Sequence, residues 1–184
     1  MGFTPISPEF EEDIAEAVNL VQSGDMLSAS SLTRWMESSC PELQAIAFNC
    51  FRERTTRCES YPIDKRNSFF ISFLRRSIEE DCENEFRPRR FDALQYCAIL
   101  IERECKDKVT LLARQIANLL ADVCDTSDQD IRQQVVDVVL EHVLHKENAR
   151  KCFSFWKSSS ILCPLFDEGI ELAGKWAELY GKQR

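Results

Sequence analysis

The only two histidines, His142 and His145, stand three positions apart, a spacing that sets two imidazoles on one face of a helix. Together with Glu141, Glu147 or Cys152 they supply the residue types of a zinc shell. The pattern departs from the zinc-protease helix, which needs four-residue spacing and an intervening glutamate. His142 also continues the apolar stripe of Ile131, Val135 and Val138, so a core or rim histidine is the simpler reading and no metal is expected. Nine cysteines fall at 40, 50, 58, 82, 97, 105, 124, 152 and 163, with no C-x-x-C pair among them. An odd count without metal-ligand spacing predicts reduced thiols rather than a disulfide framework. No G-x-S-x-G elbow and no H-E-x-x-H is present, and from Asp25 to Glu168 there is no glycine with which to build a phosphate loop. The expectation is a chain that is not an enzyme and takes no cofactor.

Arginine is the stronger signal. Arg52, Arg54, Arg57, Arg66, Arg75, Arg76, Arg87, Arg89 and Arg90 crowd into 52–90, where Lys65 is the only lysine. The planar guanidinium fork suits bidentate recognition of carboxylate or phosphate. The competing reading pairs these side chains with Glu53, Glu59, Asp64, Glu79, Glu80 and Glu83 on a solvated surface, where ion pairs contribute little. Phe153, Phe155 and Trp156 are denser than one helical stripe needs, which predicts one exposed ring, assigned to Trp156. The expected contact face is Arg75, Arg76, Arg87, Arg89 and Arg90, with Trp156 as anchor.

Charge narrows the choice of partner. The net charge is −8, but residues 50–90 carry ten basic side chains against eight acidic ones. A globally acidic chain is repelled by phosphate backbones, so an acidic or helical peptide from another protein is favoured over RNA or DNA. No stretch reaches the roughly 18 apolar residues of a membrane span. Residues 1–12 lack the basic start and apolar core of a secretory signal, which predicts an intracellular protein of cytoplasm or nucleus.

The elements that position these residues read as helices. Pro8, Pro41, Pro62, Pro88 and Pro164 stand at the openings of apolar segments, where a first-turn proline costs no hydrogen bond. Ser7-Pro8-Glu9 starts a first helix that Gly24 stops, and Asp25 is the expected cap of a second carrying Leu32, Trp35 and Met36. Leu43, Ile46, Ala47, Cys50 and Phe51 stripe a third, and Phe69, Phe70, Phe73, Leu74 and Ile78 a fourth. Phe91, Leu94, Ala98, Ile101 and Cys105 stripe the fifth, Asp107 to Asp122 the sixth, and Thr126-Ser127-Asp128 restarts the next. Phe166, Ile170, Ala173, Trp176 and Tyr180 mark the last.

Paired, these helices open near residues 8, 41, 88 and 128. In that spacing the chain resembles armadillo or HEAT-type α-helical repeats over 40–160, with a tetratricopeptide-like first hairpin over 1–38 and a C-terminal helix over 164–181. The resemblance implies one all-α domain over 1–184, its helical hairpins stacked as a short α-solenoid; a compact helical bundle is the alternative. It implies a protein-binding adaptor or scaffold subunit. RNA or DNA binding along 52–90 and homodimeric assembly are the competing readings.

Overall fold

The structure, a computed structural model, describes residues 10–53, 60–81 and 87–180. Over these residues the chain is all-helical, without a strand. The helix start at Ser7-Pro8-Glu9, the arginines Arg54 and Arg57, and Cys58, Cys82, Glu59 and Glu83 lie outside them.

Local chemistry explains most helix boundaries. Helix α1 (Glu11–Ser23) stops at Gly24, whose φ of 70° is the left-handed conformation that a residue without a β-carbon adopts most cheaply. Helix α2 (Ala29–Glu37) is capped by Ser28, not by Asp25: Ser28 Oγ accepts from the Ser31 N–H at 3.0 Å. Ser28 itself is extended, and Leu27 ahead of it is buried. Helix α3 (Pro41–Arg52) begins on its proline, and α4 (Ile63–Glu80) follows Pro62. Helix α5 (Arg90–Glu104) starts two residues beyond Pro88, and Asp81 Oδ1 accepts from the Arg90 N–H at 3.0 Å. Helix α6 (Leu111–Thr126) starts later than Asp107 because Thr110 is its cap, accepting from the Ala113 N–H at 3.3 Å. Asp128 caps α7 (Gln129–Val135) through the Ile131 N–H at 3.1 Å, as the sequence indicates.

Helix α7 widens into a π-helical turn over Val136–Leu140, where the Glu141 N–H reaches back five residues to the Val136 carbonyl. Short helices α8 (Glu141–Val143) and α9 (Glu147–Cys152) follow, then a 3₁₀ turn over Ser154–Ser158 and helix α10 (Leu162–Tyr180), with Pro164 in its first turn.

Packing groups the chain into two compact units: Met1–Phe73 with Asn84–Arg87, and Leu74–Glu83 with Pro88–Arg184. The boundary thus falls inside α4, whereas the expected divisions at 1–38, 40–160 and 164–181 lie between helices. In the first unit α3 packs on α1 and α2. Phe48 stacks on Phe73 with ring centroids 4.5 Å apart and meets Phe70 edge-on at 5.1 Å, and Trp35, Leu32 and Leu43 are buried in the same unit. In the second unit the π-helical turn packs against both α5 and α10. That double contact explains why Val135, Val136, Val138, Val139 and Leu140 are all buried, more than a one-sided helix would hide. Among the described residues no helix is long and apolar enough to cross a membrane.

Candidate functional site

Arginine placement depends on what each side chain meets. Arg75, on α4, donates to Asp122 at 2.6 Å and to Glu79, one turn along its own helix, at 3.2 Å. The Asp122 carboxylate above all holds its pKa above the ordinary guanidinium value; desolvation opposes it, and Glu79 adds a smaller upward effect. Arg90 is half-buried: its Nε donates to the Ile78 carbonyl at 2.7 Å, and Nη1 lies 3.4 Å from Asp81. These two arginines therefore fasten α4 to α6 and to the start of α5 within the second unit. Surface pairing, the competing sequence reading, describes Arg75. Arg76 is half-buried on α4 in the same unit, while Arg87 is half-buried and belongs to the first unit.

Arg89 is exposed, and beside it Phe91 is 52% exposed. The two line a shallow depression of about 250 Å³ with Asp81, Arg90 and Gln134. The sequence pattern put Phe91 in the buried stripe of α5; the structure turns it outward, because that stripe begins at Ala93 and Leu94. Asp81, Phe91 and Gln134 are thus the members of this site that sequence reasoning missed. The available signal was the adjacency of an aromatic ring to Arg89 and Arg90 in a first helical turn.

Trp156 is a correction. It is 0% exposed, packed edge-on against Phe153 at 5.2 Å in the 3₁₀ turn, and cannot anchor a partner from that position. The exposed ring of the segment is Phe155, at 42%. In a 3₁₀ turn neighbouring residues point about 120° apart, so burying Phe153 and Trp156, three apart, leaves Phe155 outside.

His142 is exposed, its ring edge-on to Trp176 at 5.3 Å, so of the core and rim positions left open by the stripe it takes the outer one. Desolvation, then the nearby Lys146, holds the His145 pKa below its ordinary value, favouring the neutral ring. Among the described residues no cluster of three or more histidine, cysteine or carboxylate side chains is placed to hold a metal ion. The seven described cysteines are free, six of them buried and Cys163 half-buried. Burial pushes the Cys97 thiol up to about 12, which makes it a core residue rather than a nucleophile.

No family model matches this chain, and neither does any curated protein or solved structure.

Proposed function

We propose that the protein is a non-enzymatic interaction module, an adaptor that binds an acidic segment of another protein at the start of α5. The observation that carries this reading is the pairing of exposed Phe91 with exposed Arg89 over a depression whose floor is already fastened. Aromatic rings and arginines are the residue types enriched at the energetic centres of interfaces. Because Arg90 is tied to Asp81 and to the Ile78 carbonyl before any partner arrives, little further ordering is needed on binding. Arg89 supplies the charge for a carboxylate-bearing segment, and Phe91 an apolar contact beside it. The armadillo/HEAT-like reading belongs to the same proposal: it rests on the paired helix openings and suits a module that leaves a helical face available.

Affinity capture from a cell extract, with and without nuclease, tests the proposal on wild type, Arg89→Glu and Phe91→Ala. A stoichiometric protein that survives nuclease and is lost by both variants supports it. Recovery that collapses on nuclease moves the reading to nucleic acid, and equal recovery by the variants removes this face.

A further inference from the structure

A larger cleft lies elsewhere in the second unit, between the connector that joins α5 to α6, the outer side of α6, and the α9–3₁₀ segment. It encloses about 590 Å³, within the range of small-molecule sites. Three cations line it, Lys108, Arg114 and Lys151, against the single carboxylate of Asp107. In a chain of net charge −8 that local surplus runs against the whole molecule. Lys151 is shared with Glu147 at 2.7 Å, whereas Lys108 and Arg114 form no ion pair among the described residues.

The remaining lining is rich in neutral hydrogen-bonding groups. Asn118 follows Arg114 by one turn of α6, so both project from one face of that helix into the cleft. Asn148 and Ser154 line the opposite side, and Phe155 stands exposed at the margin. The walls are set before any ligand binds. Asn148 Nδ2 donates to the Cys105 carbonyl at 3.0 Å, which ties α9 to the connector. Thr110 both caps α6 and donates to Glu104 at 3.0 Å, which fixes the connector's other end.

The geometry points to a binding site for a phosphorylated small molecule, with its phosphate among Lys108, Arg114 and Lys151 and a planar group on Phe155. A phosphate suits a lining in which Lys108 and Arg114 form no ion pair among the described residues, and it uses more donors than a single carboxylate accepts; guanidinium and asparagine N–H groups supply them. An exposed aromatic ring at the margin adds stacking area for a base. The site shares no lining residue with the Arg89–Phe91 depression, so the two proposals stand or fall separately.

Isothermal titration calorimetry with AMP, inorganic phosphate, adenosine and a hexaglutamate peptide tests it on the full chain. AMP is expected to bind with Kd below about 1 mM, more tightly than inorganic phosphate and far more tightly than adenosine. Arg114→Glu and Lys108→Glu each weaken AMP by about tenfold or more, and raising salt weakens it further. Both residues are exposed, so unchanged thermal melts of the variants will show the fold intact. No heat from AMP up to about 10 mM overturns the site, as does an AMP affinity indifferent to Arg114→Glu. Hexaglutamate binding tighter than AMP through Arg114 overturns it in favour of an acidic protein segment. Equal affinities for AMP and inorganic phosphate overturn the contact with Phe155.

Discussion

Gly169 on α10 lies so close to Leu140 that a β-carbon added at Gly169 would stand 2.6 Å from the Leu140 β-carbon and 3.1 Å from Leu144 Cδ1. The first of these atoms is fixed to the backbone of the π-helical turn, so it cannot swing aside. The glycine-free run of the sequence ends at this residue because two helices meet here nearly backbone to backbone.

Gly169→Ala should therefore destabilise by about 1–3 kcal/mol through overpacking, even after the gain in helix propensity of about 1 kcal/mol. Gly174, on the same helix, has nothing within 4 Å of its would-be β-carbon. Gly174→Ala should stabilise by about 0.5–1 kcal/mol. Urea unfolding of the two variants checks the opposite signs; two equal shifts would mean that the α10 contact is misplaced.

Asp81 does two things for α5: it caps the Arg90 N–H and pairs with the Arg90 guanidinium. Its φ of 41° is also a conformation that asparagine and aspartate tolerate better than alanine. Asp81→Ala is expected to cost about 1–2 kcal/mol, while Asp81→Asn, which keeps the accepting oxygen, loses under about 1 kcal/mol. Thermal melts of both variants decide, and equal losses would place the effect in the charge rather than the cap.

Trp156 and Phe155 are neighbours with opposite roles. Trp156→Ala should cost about 3–5 kcal/mol, because it empties a fully buried site. Phe155→Ala should leave stability within about 0.5 kcal/mol. If Phe155→Ala unfolds the protein, the ring is part of the core and the cleft margin is wrongly drawn.

Cys97 links stability to alkaline pH. Its folded pKa is raised from 9.0 to about 12 by burial. The folded state therefore keeps the proton that the unfolded chain gives up above its own thiol pKa. The contribution is fully present below pH 9 and is lost as pH rises toward 12, at about 1.4 kcal/mol per unit. Comparing the pH slope of urea stability between wild type and Cys97→Ala isolates this residue, whose removal should flatten the alkaline limb by about that amount. Identical slopes would show that Cys97 titrates normally in the folded chain.

Helix identity and most boundaries were legible in the residue order, because caps act over three or four positions. Gly24, Pro41 and Asp128 do what their types require whatever surrounds them. The stripe of α4 likewise announced the core of Phe70 and Phe73, whereas Phe48 of α3, which packs on both, lay outside the stripe read for that helix, and Phe51, which lay in it, is only half-buried. The candidate sites were legible only in part. A cluster of arginines is visible in sequence, but nothing local tells that Arg75 finds Asp122, 47 residues away, or that Arg90 reaches back to the Ile78 carbonyl.

The same division holds for the faces of the helices. Sequence by itself determined that the described chain is helical and where its apolar residues recur, since both follow from backbone sterics and short-range hydrogen bonds. Tertiary structure alone decided that Phe91 and Phe155 face outward while Trp156 is enclosed. It also brought Lys108, Arg114 and Lys151 around one cleft and made glycine necessary at 169. Those outcomes depend on which helix packs against which, and burial is a property of the neighbours a side chain meets, not of its own chemistry.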